Sequence, residues 1–275
     1  SSVTLPIAGA VTVDANGVQK SAMFSRYAAG VQGTWPLSAS MALFANGNLD
    51  GRYHFDDNGT NSRTFNTLYG ATQAGLATSW GRHVLRGSIG YNALVLNEIS
   101  YRTSPSLSGE WQLPVNNQLG AFSSAQYGLL QYQGDNVVRD ASFYTWSGGL
   151  RWAFDAPWQP SIIVALNTGR EVNSREREDL SRSSNGGRIS LETIPKAKLQ
   201  VSASYSTQAS DYLSNDLFFG LARRDNFDAL ELAATYTLTR NWSLRADIAA
   251  SETKSNIALY SSQRLSGSVN VRYRF

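Results

Sequence analysis

Leu265, Gly267, Val269, Val271, Tyr273 and Phe275 fall on one side of an extended chain, and Ser266, Ser268, Asn270, Arg272 and Arg274 fall on the other. Successive side chains of a β-strand point to opposite faces, so this closing segment has one apolar face and one wet face. Hydrocarbon on one side and water on the other is what a closed transmembrane sheet offers. Closure is part of that reading, because a sheet edge left open in hydrocarbon would strand its N–H and C=O groups without partners.

The same alternation runs through most of the chain. Met41, Leu43, Ala45, Leu49, Gly51 and Tyr53 oppose Asn46, Asn48, Asp50, Arg52 and His54. Ile99, Tyr101, Leu107 and Trp111 oppose Arg102, Ser104, Ser106, Ser108 and Glu110, and Tyr144, Trp146, Leu150, Trp152 and Phe154 oppose Thr145, Ser147 and Arg151. Leu230, Leu232, Ala234, Tyr236 and Leu238 oppose Glu231, Thr235 and Thr237; Trp242, Leu244, Ala246 and Ile248 oppose Ser243, Arg245 and Asp247. A soluble sandwich alternates too, but its strands average about 5–6 residues. Here about 14 strands of roughly 10–16 residues each are expected, the length of tilted membrane strands with external extensions.

Composition agrees once each strand is split into its two faces. Mean hydropathy is −0.29 and the apolar fraction 42 %, ordinary values that a barrel reaches because only alternate residues meet lipid. The longest apolar run is Ile162 to Leu166, far short of the roughly 20 residues of a spanning helix. The 13 Tyr, 7 Trp and 23 Gly suit interfacial belts and curved strands. Absence of cysteine excludes thiol catalysis, disulfides and Cys-based zinc sites, and a net charge of +3 is too slight to imply nucleic acid. No basic stretch followed by an apolar one opens the chain, as expected of a mature protein or an excised domain.

Connections alternate in length. Short turns are expected at Trp35–Ser38, Gly81–Arg82, Pro114–Asn117, Asp155–Pro157, Pro195–Lys196 and Arg240–Asn241. Longer polar loops are expected at Asp14–Ser21, Asp56–Ser62, Gly134–Arg139, Arg170–Ser184, Ser206–Asp225 and Glu252–Ser261, with a short connection near Asn97 as the exception. The expected fold is all-β: a single domain over 1–275, a transmembrane antiparallel up-and-down β-barrel of about 14 strands, with both termini periplasmic and short turns on the periplasmic side. Such a chain belongs in the bacterial outer membrane, with outer-membrane lipid around it.

The polar face supplies the candidate site. Arg26, Asp50, Arg52, Arg86, Arg102, Glu110, Arg151, Arg188, Glu192, Lys198, Glu231, Arg245, Asp247, Arg272 and Arg274 are expected to face the lumen. Cations dominate this set, and rings of Arg or Lys bias a pore toward anions. The plainer alternative is a set of Arg–Glu ladders bracing an interior too wide to fill. A slip of one residue in register would turn any one strand over. The most apolar loop, Ser206–Asp225, carries Tyr212, Leu213, Leu217, Phe218 and Phe219 and is a candidate gate or external contact; the alternative is that part of it prolongs its strands.

No catalytic constellation is expected. His83 is followed by Val84-Leu85-Arg86 and His54 by Phe55-Asp56-Asp57, and neither fits the His-x-Ser-Asn-Gly stretch of barrel phospholipases. Asp50, Asp56 and Asp57 beside His54 read as solvated charge. Asp56-Asp57-Asn58-Gly59 lacks the alternating ligands and terminal Glu of a calcium loop, and reads as a turn, like Asp14-Ala15-Asn16-Gly17 and Asn185-Gly186-Gly187. Neither a metal nor a cofactor is expected.

The last quarter carries a more specific pattern: Arg223-Arg224-Asp225, then Asn241-Trp242-Ser243-Leu244-Arg245, then Ser255-Asn256-Ile257-Ala258-Leu259-Tyr260, then Tyr273-Arg274-Phe275. Upstream come Gly81-Arg82-His83, Ser108-Gly109-Glu110-Trp111-Gln112, Gln126-Tyr127 and Gly169-Arg170-Glu171. In this order the motifs resemble the barrels carried by tetratricopeptide-repeat outer-membrane proteins, a group that includes the surface lipoprotein assembly modifier family. The resemblance implies a 14-stranded barrel that moves cargo, a surface lipoprotein or an exopolysaccharide, to or across the outer membrane. It implies a periplasmic helical-repeat domain or the cargo itself as partner. Tyr273 and Phe275 resemble the terminal signal read by the barrel-assembly machinery. The chain departs from the group in having no helical repeats ahead of the barrel. A passive diffusion porin and a structural or adhesive barrel are the alternatives.

Overall fold

The computed structural model describes residues 2–5, 9–12, 23–55 and 65–274. Two short strands, β1 (Ser2–Leu5) and β2 (Gly9–Thr12), pair with each other apart from the rest. The remaining strands are β3 (Phe24–Pro36), β4 (Met41–His54), β5 (Thr67–Trp80), β6 (His83–Leu96), β7 (Ile99–Pro114), β8 (Leu119–Tyr132), β9 (Ala141–Ala153), β10 (Ser161–Asn173), β11 (Arg182–Lys196), β12 (Leu199–Asn215), β13 (Ala222–Thr237), β14 (Trp242–Ser255) and β15 (Ser262–Tyr273). They form one 13-stranded sheet in chain order, every neighbouring pair antiparallel. This is the up-and-down meander expected from the alternation, with 13 strands in the main sheet among the described residues against about 14 expected. With consecutive strands antiparallel and 13 of them, β3 and β15 run in the same direction.

Register carries one apolar face across the sheet. Trp35 lies opposite Leu43 and Leu43 opposite Leu76; Leu107 lies opposite Tyr127 and Tyr127 opposite Tyr144. Leu150, Val164, Ile189, Tyr205 and Leu230 form one row across β9 to β13, and Tyr236, Leu244 and Val271 continue the pattern on β13 to β15. These residues are on the outside: Val31 is 75 %, Leu265 76 % and Val269 71 % exposed. Among the described residues only Ala141 and Ile257 are buried hydrophobics, so no apolar core holds the fold. Surface of this kind would be costly in water and is satisfied by lipid.

Belts of aromatic residues mark the limits of the band. Trp35, Trp80, Trp111, Trp152 and Trp242 sit on the outer face near one rim, with Trp158 in a turn there. Tyr27, Tyr91, Tyr127 and Tyr144 stand higher. Trp35 and Tyr27 are eight positions apart, as are Trp152 and Tyr144. At about 3.3 Å per residue and about 40° of tilt this is roughly 20 Å of height between ring attachment points, close to the ~25 Å apolar band of such barrels.

The connections at the Trp rim are residues 37–40, 81–82, 115–118, 154–160, 197–198 and 238–241; those at the other rim are 55–66, 97–98, 133–140, 174–181, 216–221 and 256–261. The alternation of short and long thus holds, with 97–98 the short exception and 154–160 longer than expected. Three expected loops are corrected. Strand takes in residues 170–173 and 182–184 of Arg170–Ser184, most of Ser206–Asp225, and residues 252–255 of Glu252–Ser261, leaving residues 174–181, 216–221 and 256–261 as the true connections. The reason lies in Asp211, Arg224, Asp228, Glu252 and Lys254, which occupy the outer face above the band, where no lipid asks for apolar side chains. The expected loops Asp14–Ser21 and Asp56–Ser62, including both Asp-Asn-Gly-type turns, and Phe275 lie outside the described residues.

Candidate functional site

Register places the polar residues on the face opposite the apolar band. Arg26, Asp50, Arg52, Arg86, Arg102, Glu110, Arg151, Arg188, Glu192, Glu231, Arg245, Asp247 and Arg272 all occupy it, alternating with the outward rows. Two expected members do not. Lys198 lies in the two-residue turn between β11 and β12 with φ at 71°, in the left-handed region that such a turn demands. Arg274 lies past the end of β15, where its N–H donates to the Asn241 carbonyl and its own carbonyl accepts from Asn241 Nδ2, a clamp on the Trp rim. Arg182, Glu171, Arg223, Asp225 and Arg264 also belong to the inner face and were missed. Their strand parity was the available signal, but it ran through stretches that read as loop.

Part of the inner face is a brace. Arg26 pairs with Asp50 at 2.5 Å, Arg188 with Glu231 at 3.2 Å, Arg245 with Asp247 at 3.6 Å and Arg86 with Glu110 at 3.9 Å. Neutral bridges join them: Gln73 Nε2 donates to Ser88 Oγ, Ser88 and Ser108 hydroxyls meet at 2.7 Å, and Ser124 and Ser147 at 2.8 Å. Wet ion pairs of this kind are worth about 0–1 kcal/mol each, too little to account for the number of charges here. Arg52, Arg102, Arg151, Arg264 and Arg272 have no ion-pair partner among the described residues; of the inner-face carboxylates only Glu192 is left over. Arg102 rests its guanidinium 5.9 Å from the Tyr132 ring. The surplus is cationic.

The inner wall is kept flat by three Phe-on-Gly contacts. A Cβ on Gly128 would come within 2.7 Å of the Phe143 ring, one on Gly149 within 2.7 Å of Phe122, and one on Gly75 within 2.8 Å of Phe44. Each ring therefore lies down on bare backbone across the strand pair instead of standing in the lumen. Glycine is required there for close approach, not for its dihedral range.

The long-loop rim is tied by a repeated device. The last N–H of β4, β8, β10 and β14 (His54, Tyr132, Asn173 and Ser255) each donates to the side chain just before the next strand: Asn66, Asp140, Ser181 and Ser261. Backbone bonds then link loop to loop: Asn97 to Asn66, Gln133 to Tyr101, Ser174 to Asp140, Leu213 to Ser181 and Asn256 to Arg224. Arg223 lies 3.6 Å from the Tyr260 ring centroid and 4.6 Å from that of Tyr212. Tyr260 donates to Asp216 at 2.8 Å; its burial, then that bond and the charge behind it, push its pKa up to about 12. In the loop at 174–181, the Arg177 guanidinium holds the Asp179 carboxyl below its ordinary range.

The same geometry places the residues of the candidate gate or contact loop. Tyr212 and Leu213 belong to β12, and Leu217, Phe218 and Phe219 occupy the turn 216–221, fixed by Asp216 accepting from the Phe218 and Phe219 N–H groups. Leu217 and Phe218 point outward to solvent, and Phe219 leans on Tyr260. His83 sits on the outer face at the Trp rim, where its Nδ1 accepts from the Trp111 indole at 2.9 Å. Tyr273 closes β15 against Trp242, with ring centroids 4.8 Å apart.

Residues 138–275, the C-terminal half, match the family described as "Putative beta-barrel porin 2". No curated protein matches the chain. Among solved structures, the copper transporter OprC aligns with a TM-score of 0.50 at 11 % identity, over 92 % of this chain and 52 % of that one. The chain thus spans about half the length of that transporter, and the likeness bears on the fold alone. A bacterial polysaccharide outer membrane secretin aligns at a TM-score of 0.48 and 9 % identity, over 91 % of each chain. The loop L8 deletion mutant of OmpT, an outer membrane protein of Vibrio cholerae, aligns at 0.48 and 9 % identity, over 91 % of this chain and 97 % of that one.

Proposed function

The chain belongs to this beta-barrel porin family of the bacterial outer membrane, and from that premise we propose that it is a constitutively open conduit, without catalytic activity, for polar solutes with a preference for anions. The observation that carries this is the cationic surplus on the inner face: among the described residues, Arg52, Arg102, Arg151, Arg264 and Arg272 make no ion pair with a carboxylate, on a wall where Phe44, Phe122 and Phe143 lie flat. Unneutralised arginines in a confined aqueous channel raise the local anion concentration and disfavour cations. The laced long-loop rim supports an open channel over a gated one. On this reading the short-turn Trp rim is periplasmic.

The test is single-channel recording in a planar bilayer across a potassium chloride gradient. A steady current with a reversal potential on the anion side is expected. Substituting Arg102, Arg151 and Arg272 together with Gln should move the reversal potential toward the cation side. A wild-type channel that is silent, or a potential unmoved by the three substitutions, would overturn the proposal. Substituting His54 and His83 with Ala should leave conductance unchanged.

Export of a polymer or a surface lipoprotein is the second reading, favoured by the Arg223-Arg224-Asp225 to Tyr273 motif series of the last quarter. Deleting the gene and scoring surface lipoprotein and polysaccharide tests it. Loss of surface display with unchanged small-solute uptake would select export over diffusion.

A further inference from the structure

We propose that Arg52 and Arg264, with Arg26 beside them, form an oxyanion-binding site on the inner wall, where strands from the two ends of the sheet face each other. This rests on the reading of the barrel as a conduit and names the chemistry of what it holds.

Arg26 and Arg52 are direct cross-strand partners on β3 and β4, both on the inner face. Like charges in that position repel. Asp50, on the same face, offsets one of them: its Oδ2 accepts from Arg26 Nε at 2.8 Å and from Nη2 at 2.5 Å. Arg52 receives nothing comparable. Its guanidinium lies 5.6 Å from the Phe24 ring centroid, and it makes no ion pair among the described residues; the Asp50 charge acts on it, but less than those of Arg264 and Arg26.

Arg264 then adds a further positive charge from the far end of the sheet. It stands on β15 opposite Ser251, a neutral partner, and has no ion pair among the described residues. Its charge acts on both Arg52 and His54 of β4, so β15 and β4 lie close although many strands separate them in the sheet. The charges of Arg264, Arg26 and Asp50 thus all act on Arg52, three guanidinium groups with a single carboxylate to offset them. A purely structural brace would place an acid at the second position, as Glu231 does for Arg188.

Guanidinium groups present a planar fork of donors that fits carboxylate, phosphate and sulfate oxygens in pairs. Phe24 holds the Arg52 fork from one side, leaving its donor edges free for a ligand. A carboxylated, phosphorylated or sulfated solute shares this oxyanion chemistry, so the probes must separate the three.

Isothermal titration of the full chain, folded in detergent micelles, with inorganic phosphate, sulfate or acetate provides that separation. Saturable binding of at least one of them at a single site is expected, with the tightest binder naming the class. Arg52→Gln/Arg264→Gln should weaken it at least tenfold, and Arg52→Lys, which keeps the charge but loses the fork, should give an intermediate loss. Heat-modifiable migration in gels confirms that each variant is folded; if the double variant fails to fold, Arg52→Lys and Arg264→Gln singly decide the matter. Absence of saturable binding by the wild type, or equal binding by wild type and folded variants, overturns the site. Conductance of the same preparations separates the two readings: current without anion binding rejects the site alone, and anion binding without current rejects the conduit alone.

Discussion

Replacing Gly128 with Ala tests whether the Phe-on-Gly contacts hold the wall flat. The new methyl would sit 2.7 Å from Cε1 and Cζ of Phe143 and 2.8 Å from the Pro105 carbonyl oxygen. Comfortable carbon–carbon separation is about 3.5–4.0 Å, so something must move by about 1 Å. The carbonyl is fixed by β7, and the Phe143 ring is the part that can yield, by lifting off the wall into the lumen. Forcing a methyl into a packed site costs about 1–3 kcal/mol. Equilibrium urea unfolding in detergent, read by tryptophan fluorescence, should show a loss in that range, and single-channel conductance should fall because the ring now stands in the path. Phe143→Ala in the same chain removes the ring and should restore conductance while leaving a smaller stability deficit from the Pro105 oxygen. The double-mutant coupling energy should be about 1 kcal/mol or more, with the two changes less harmful together than their sum. Full stability and full conductance in Gly128→Ala alone, or additive losses in the pair, would refute the argument.

Two further outcomes are expected at the long-loop rim. The Tyr260 hydroxyl has its pKa raised to about 12, above the ordinary value of 10.0, so the folded state holds the proton more tightly than the unfolded one. That contribution to stability is complete below about pH 10 and is lost as pH rises through about 12; phenolate absorbance should show a late titration step that Tyr260→Phe removes, with loop proteolysis increasing over the same range. Asp140 accepts from the Tyr132 N–H and pairs with Arg175 at 2.8 Å. Asp140→Ala should cost about 1–3 kcal/mol by leaving the Tyr132 donor unsatisfied. Asp140→Asn keeps that acceptor and should lose less than about 1 kcal/mol, the worth of an exposed pair; equal losses in both variants by urea unfolding would contradict this ranking.

Wherever the outer face meets lipid, the sequence spells the fold out. Leu230, Leu232 and Tyr236 against Glu231 and Thr235 fix both strand and face, and the register of β12 to β14 agrees residue for residue. Legibility stops where lipid stops. Above the band, Asp211 and Arg224 point outward and Arg223 and Asp225 inward, all polar, so two-residue periodicity vanishes while hydrogen bonding between strands continues. The same effect hid Arg264 within Ser261-Ser262-Gln263-Arg264 and cost the sequence reading one arm of the oxyanion site. Lys198 failed for a different reason, since parity cannot reveal a left-handed turn residue. The Asn66, Asp140, Ser181 and Ser261 ties were also within reach: each loop ends on a short acceptor just before its strand. Nothing local distinguishes them from ordinary turn residues, and it is the repetition around the rim that identifies them.

β3 and β15 run in the same direction, so the two edges of the sheet cannot close on each other as a simple antiparallel pair. Phe24 begins at the long-loop rim and Tyr273 ends at the Trp rim. A peptide laddered antiparallel to both edges must run opposite to both of them and span the wall, about 40 Å for a dozen extended residues. Much of its path lies in hydrocarbon, where a flexible glycine–serine segment would leave its own amides unsatisfied. Any peptide that seals this sheet must therefore itself be a strand, with an apolar residue at every second position on the lipid side.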